Sequence, residues 1–397
     1  MNFSHTTFLQ HIAQTTDSPF LIDIERAEGS YLYAPDGKAY IDLISGIAVS
    51  NLGHGHPKVL RAIHEQVDKH LHVMVYGEYV QSSPNLLAEK LVSLLPDKLN
   101  CCYFTNSGTE ANEGALKLAK RYTGRSEIIS FRGAYHGSTH GSLSVSGNEI
   151  KKYAFRPLLP DVRFLHFRDT NDLAQITERT ACVIVEPIQG DAGVRIPDND
   201  YMLALRQRCT ETGALLIFDE IQTGIGRTGK MFAFEHYTVV PDILTSAKAL
   251  GGGLPLGTFI SSLDIMKSLT HDPMLGHITT FGGNPVSCAA ALATLEAIEE
   301  ECLLNEVEAK GRKIESLLQH SRIKEVRRKG LMFAFEFETT EEVADIVAYC
   351  LKQGVICFWF LSCPNSFRLA PPLNISHEDI EKACKVINDA INALDNQ

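Results

Sequence analysis

Apolar positions along this 397-residue chain fall into two textures. The first is a set of short runs that are apolar throughout: NCCYFT (100–105), EIISF (127–131), ACVIVEP (181–187), ALLIFDE (214–220), DILTSA (242–247) and GTFISS (257–262). A short run without polar alternation predicts a strand covered on both faces, as in a sheet flanked by helices. The second texture is amphipathic. EANEGALKLAKRYTG (110–124) and YMLALRQRCTETG (201–213) carry helical periodicity, and Gly213 is placed to cap the second. Strands alternating with helices predict an α/β domain with a mostly parallel sheet.

From about residue 286 the pattern changes. VSCAAALATLEAIEEECLLNEVEAKGRKIESLLQH reads as one long helical stretch. It is followed by LMFAFEF (331–337), a helix near 340–352, VICFWF (355–360) and FRLAP (367–371). The closing helix, SHEDIEKACKVINDAINALDN, opens with Ser376 and Asp379 at capping-box spacing. These elements predict a smaller α+β domain. Near the amino terminus, IERAEGSYLYAPDGKAYIDLISG places an Asp-Gly turn between two strand-like runs, which predicts a hairpin. The expected division is an N-terminal segment (1–50) packing with the small domain, a large domain (51–285) and the small C-terminal domain (286–397). No internal repeat is visible.

Composition removes several function classes. A formal charge of −11 argues against a nucleic-acid partner, which requires a basic face. The densest basic cluster, Arg327-Arg328-Lys329, reads as a solvated turn before a strand. The amino terminus lacks a basic stretch followed by an apolar one, so no secretory signal is expected. No apolar window reaches the roughly 18 residues of a membrane span, so no membrane partner is expected. Ten cysteines without a C-x-x-C, several inside apolar runs such as Cys182 and Cys288, read as reduced thiols of a cytoplasmic protein. Gly53-His54-Gly55-His56, ahead of Pro57, reads as a tight turn, and no metal is expected. Gly251-Gly252-Gly253 lacks the spacing of a dinucleotide fingerprint.

Ligands of an open α/β sheet gather beyond the carboxyl ends of its strands, so the residues that follow each strand carry the chemistry. After NCCYFT come Asn106-Ser107-Gly108-Thr109 and a helix. Free N–H groups at a helix start make a phosphate seat, and an ordinary N-cap is the alternative. After EIISF comes Arg132-Gly133-Ala134-Tyr135-His136-Gly137. There Tyr135 suits the cover of a flat ring, and His136 is either a base or a structural histidine. After ALLIF come Asp219 and Glu220. A buried carboxylate needs a partner, either a pyridinium N–H or an arginine such as Arg227. After DILTSA comes Lys248, followed by Ala249-Leu250-Gly251. A lysine leaving a buried strand is unusual, and desolvation makes its amine nucleophilic toward an aldehyde. Phosphate seat, ring cover, carboxylate and amine together suit an aromatic aldehyde phosphate.

The chain resembles the class III (subgroup II) pyridoxal-phosphate-dependent aminotransferases, the acetylornithine, ornithine and 4-aminobutyrate enzymes among them. The resemblance runs from SYLYAPDGKAYIDLISGIAVSNLGHGHP through FTNSGTEANEGALKLAKR, VEPIQGDAGV, FDEIQTGIGRTG, AKALGGGLPLG and TTFGGNP to RLAPPL. It implies fold type I, with a mostly parallel seven-stranded sheet flanked by helices, and pyridoxal 5'-phosphate as cofactor. It implies Lys248 as the Schiff-base and proton-transfer lysine, and Asp219 as partner of the ring nitrogen. Gln222 would reach the ring hydroxyl and Tyr135 would stack on the ring. Ser107, Gly108 and Thr109 would seat the phosphate, with Thr280 completing the seat from a neighbouring subunit of a homodimer with shared sites. Arg368 would bind a substrate carboxylate, joined by Thr279 and by Asp191. In the family a glutamate at the position of Asp191 masks that arginine, and here the side chain is one methylene shorter. Ser138 stands where many 2-oxoglutarate users carry arginine, and a hydroxyl cannot make the same bidentate contact.

The implied reaction moves an amino group from an ω-amino or ornithine-type donor to a keto acid such as 2-oxoglutarate. A pyridoxal enzyme of another class, an aminomutase or decarboxylase, and a non-catalytic relative are the competing readings. Arg368 in RLAPPL favours keto-acid exchange over the former, and intact Lys248 and Asp219 speak against the latter.

Overall fold

The computed structural model describes residues 3–75 and 77–396. An N-terminal sheet contains β1 (Arg26–Glu28), β2 (Tyr31–Tyr33) and β3 (Ala39–Asp42). The central sheet contains β4 (Cys101–Thr105), β5 (Glu127–Phe131), β6 (Val162–Leu165), β7 (Thr180–Val185), β8 (Leu215–Asp219), β9 (Ile243–Ser246) and β10 (Gly257–Ser261). Last come β11 (Glu325–Lys329), β12 (Met332–Glu336), β13 (Val355–Ile356), β14 (Phe358–Trp359) and β15 (Ser366–Leu369).

The central sheet has seven strands in the order β4-β10-β9-β8-β7-β5-β6. Only β10 runs against its neighbours, so the carboxyl ends of the other six share one edge. This is the mostly parallel sheet expected from the uninterrupted apolar runs, and β5, β7, β8 and β9 are buried along their whole length. Burying each large apolar side chain of β8, such as Ile217 and Phe218, contributes about 1.5–3 kcal/mol. The helix Gly108–Thr123 lies against this sheet, in contact with β9 and β10. Its approach requires Gly114, where a Cβ would sit 2.3 Å from the Phe259 ring. The helices Gly108–Thr123 and Asn199–Thr212 end on left-handed Gly124 and Gly213, the second as its sequence predicts.

The Asp-Gly hairpin forms between β2 and β3, and β3 then pairs in parallel with β13 from the far end of the chain. The second four-stranded sheet has the order β11-β12-β15-β14. All ten cysteines are free. His54 and His56 hold separate carboxylates, those of Asp42 at 2.9 Å and Glu301 at 2.8 Å, so Gly53–His56 is a turn braced by two hydrogen bonds. No described helix is long and apolar enough to cross a membrane.

Four expectations require correction. The stretch from 286 to 320 is two helices, Pro285–Glu300 and Leu304–Leu317, broken where Cys302 takes φ +52°. Three consecutive glutamates, Glu299 to Glu301, end the first helix against its dipole. VICFWF is divided between two sheets, with β13 pairing β3 and β14 pairing β15. Arg327-Arg328-Lys329 is strand rather than turn: Arg327 pairs with Glu325 and Glu336, and Arg328 with Glu308 and Glu315. At Ser376 the hydroxyl accepts the Asp379 N–H at 3.0 Å, but the Asp379 carboxylate does not return the bond to the Ser376 backbone. It takes the hydroxyls of Ser376 and Tyr31 instead.

Candidate active site

Residues following β4, β5, β7, β8 and β9 line one cavity of about 670 Å³ at the shared edge of the sheet. It gathers Ser107, Gly108, Thr109, Tyr135, Asp191, Asp219, Gln222, Lys248 and Arg368. Thr279 and Thr280 are not brought to it. Thr280 is exposed, and the Thr279 hydroxyl accepts the Gly282 N–H at 2.8 Å.

Asp219 ends a fully buried strand and is itself 4% exposed. Its Oδ2 receives a hydrogen bond from Asn112 Nδ2 at 2.8 Å and lies 2.7 Å from His136 Nδ1. Its Oδ1 accepts the Ile221 N–H at 3.0 Å. The alternative partner Arg227 is elsewhere, donating to the carbonyls of Leu331 and Pro371 and to the Asn51 side chain. Glu220 also turns away from the cavity, accepting from Thr223, Ala233 and Phe234, and burial pushes its pKa up to about 7.

Lys248 begins a short helical turn with φ +48°, a conformation a non-glycine residue adopts at a cost. Burial pushes its ammonium pKa down to about 8, against the opposing pull of the Asp219 and Glu186 carboxylates. The neutral amine is therefore more accessible near physiological pH than it is for an exposed lysine.

At the other wall, the first N–H groups of the helix Gly108–Thr123 lack intrahelical acceptors, and the helix dipole leaves partial positive charge there. The Ser107 hydroxyl accepts the Glu110 N–H at 3.3 Å, so the N-cap reading of this turn holds as well. The fit around it is tight. A Cβ on Gly108 would meet Ile221 at 2.8 Å, and one on Gly137 would meet the Thr109 hydroxyl at 2.3 Å. Tyr135 is 40% exposed, and its hydroxyl lies 3.3 Å from that of Ser138. A Cβ on Gly190 would fall 1.7 Å from Gln222 Oε1, so glycine there makes room for the glutamine.

Arg368, on β15, is 6% exposed, with its guanidinium over the Phe360 ring at 4.5 Å. Its Nη2 donates to the Trp359 carbonyl at 3.3 Å and lies 3.4 Å from Asp191 Oδ1. Burial tends to raise the Asp191 pKa. The Ser362 hydrogen bond and the charges of Lys151 and Arg368 outweigh that and hold it below the usual carboxylate range.

The residue-by-residue reading of the sequence assigned no task to Glu186 or Asn112. Glu186 follows β7, accepts the N–H groups of Tyr135 at 3.0 Å and Gly190 at 2.9 Å, and has its pKa pushed up to about 7 by burial. A carboxylate closing the apolar run ACVIVEP was the available signal. Asn112 lies inside a helix, and no local pattern marks its reach to Asp219.

The sequence profile of the family described as "Aminotransferase class-III" matches residues 12–391. The chain is 42% identical over 383 residues to the acetylornithine aminotransferase of Methanocaldococcus jannaschii, covering 93% of this chain and 91% of that one. It is 37% identical over 382 residues to the LysW-aminoadipate semialdehyde/glutamate semialdehyde transaminase of Sulfolobus acidocaldarius, covering 95% and 96%. The ornithine aminotransferase of Toxoplasma gondii, a structure with PLP at partial occupancy in its active site, superposes with a TM-score of 0.92 at 27% identity, covering 99% and 94%.

Proposed function

This chain belongs to the class III aminotransferases, pyridoxal-phosphate enzymes that move an amino group between an amino acid and a keto acid, and we propose that its donor is an ornithine-type amino acid, acetylornithine or ornithine, and its acceptor 2-oxoglutarate. The observation that carries the reading is the meeting of Lys248, Asp219, the open helix start at Gly108 and the buried Arg368 in one cavity. The donor set suits the cofactor: N–H groups for a phosphate, a buried carboxylate for a ring N–H, and an amine for an aldehyde.

Pyridoxal phosphate, when bound, supplies the aldehyde that takes up the amino group and the ring that withdraws electrons from the adjacent carbon. In this reading Ser107, Gly108 and Thr109 hold the phosphate, Tyr135 covers the ring face and Gln222 reaches the ring hydroxyl. Asp219 accepts the ring N–H, with Asn112, His136 and the Ile221 N–H fixing the direction of its lone pairs. The Lys248 amine would take up and give back the proton at the substrate carbon. Arg368 anchors a substrate carboxylate.

The working unit in this proposal is a homodimer in the cytoplasm, with Thr280 and Thr279 completing a neighbour's site. Exposed Met274, Leu275, Ile278 and Phe281 around these threonines support a subunit contact, and ten free thiols suit a reducing compartment. A donor panel of acetylornithine, ornithine, 4-aminobutyrate, lysine and β-alanine, each with 2-oxoglutarate and with pyruvate, tests the substrate assignment. Acetylornithine or ornithine with 2-oxoglutarate should have the highest kcat/KM. A preference for β-alanine or 4-aminobutyrate with pyruvate would overturn it.

A further inference from the structure

Asp191 and Arg368 line the cavity, with Lys151 and Ser362 behind Asp191, and the carboxylate is not held chiefly by the arginine. Asp191 Oδ2 accepts from the Ser362 hydroxyl at 2.6 Å and from Lys151 Nζ at 3.1 Å. Asp191 Oδ1 receives the Leu361 N–H at 3.3 Å and lies 3.4 Å from Arg368 Nη2. Strong charge-assisted bonds are about 2.7–2.9 Å long, so the arginine contact is the slackest of the four. The anchors are themselves built in. Asn148 Oδ1 accepts the Ile150 N–H at 3.1 Å, shaping the turn Glu149–Lys151, and its Nδ2 donates to Ser362 Oγ at 3.0 Å. Lys151 Nζ reaches the same Ser362 oxygen at 3.3 Å.

Arg368 is left under-satisfied. A guanidinium carries five N–H donors in a rigid fork. Among the described residues the Nε is buried without a partner, and Nη2 makes only the long contacts to Asp191 and the Trp359 carbonyl. With Oδ2 held by Ser362 and Lys151, the Asp191 carboxylate reaches the arginine only at 3.4 Å, through Oδ1.

We propose that Lys151 and Ser362 are positioning residues that keep Asp191 from closing fully on Arg368, leaving the arginine open to the carboxylate of the keto-acid acceptor. The inference rests on the reading of Arg368 as a carboxylate anchor, and it sets specificity. An arginine paired only loosely takes up a carboxylate beside the reacting carbon without rearrangement. Releasing Asp191 supplies an internal anion that competes with the substrate.

The test is glutarate, an unreactive dicarboxylate, titrated into the holoenzyme by calorimetry, together with the KM for 2-oxoglutarate. Ser362→Ala and Lys151→Ala should each weaken glutarate and raise KM, with kcat within about twofold. If freed Asp191 masks Arg368 nine-tenths of the time, the loss is roughly tenfold. Ser362→Ala changes no charge, so its effect separates release of Asp191 from loss of a cation. It also serves if Lys151→Ala fails to fold. Adding Asp191→Asn to either variant should restore binding, which a merely structural brace would not do. Unchanged affinity in Ser362→Ala, or double variants as weak as the single ones, would overturn the proposal. Arg368→Ala separates the two levels. If it leaves glutarate binding intact, the anchor reading itself fails. If it weakens binding while Ser362→Ala does not, only the clamp fails.

Discussion

The cavity has a buried aspartate at each end, and the two are satisfied in opposite ways. Asp219 is held within one layer, by an amide and an imidazole from elements packed on its own sheet and by the Ile221 N–H. Asp191 is held across layers, by Lys151 on the large-sheet side and by Ser362, Leu361 and Arg368 from the region of the small sheet. The first arrangement fixes a lone-pair direction to within the stiffness of a packed sheet. The second shares one negative charge between two cations and depends on how the two sheets meet. Orientation is therefore invested at the Lys248 end, and charge balance at the Arg368 end.

The largest effect is expected where the comparison is most one-sided. Lys248→Ala should cost on the order of 10⁴-fold or more in turnover, because among the described residues no second lysine lines the cavity to carry the proton. Its circular-dichroism melting curve should stay close to that of the parent, and wild-type turnover in this variant would remove the basis of the site. Asp219→Asn should retain cofactor by absorbance yet lose about 10²–10³-fold in kcat, the range seen when one preorganised electrostatic contact is removed. A kcat unchanged from the parent would mean that the two carboxylates do not differ in kind.

Arg368→Ala should act in the other parameter, lowering kcat/KM for 2-oxoglutarate by roughly 30-fold, about 2 kcal/mol of lost carboxylate binding. A loss confined to kcat would place the arginine in the wrong half of the comparison. His136→Ala should slow kcat by about tenfold, the value of one hydrogen bond to a charged group, with KM nearly constant. A KM effect alone would show that the imidazole does not act through Asp219.

The smallest effect is a slope. Lys248 has a pKa of about 8 in the fold against an ordinary 10.5, so the unfolded chain binds more protons between those values. The cofactor-free protein should therefore gain stability as pH rises from about 8 toward 10.5, and Lys248→Ala should lack that gain. Denaturant midpoints across this range measure it, and parallel curves for the two proteins would contradict the depressed pKa.

Much of this was legible along the chain. A strand buried on both faces must be apolar at every position, so β5, β7, β8 and β9 announce themselves, and each is followed by a residue with chemistry to offer. The helix break at Cys302 was not legible, because EEECLLNEV keeps helical periodicity and only packing makes the turn preferable. Nor was the partner of Asp219. Arginine is the obvious counterion, yet Arg227 is buried among backbone carbonyls, while Asn112 and His136 come from 107 and 83 residues away. The two hold the carboxylate because the helix start and the β5 turn converge on the end of β8.

By itself the sequence determined the sheet, the helices that cover it, and which side chains stand at the carboxyl ends of the strands, since local periodicity and solubility dictate these without reference to distant residues. Only the tertiary structure decided that Asp219 leans on His136 and Asn112, and that Asp191 is drawn toward Lys151 and Ser362 rather than Arg368. Such pairings depend on a few ångströms of separation between segments far apart in the chain. Only the packed arrangement of the sheets supplies that separation.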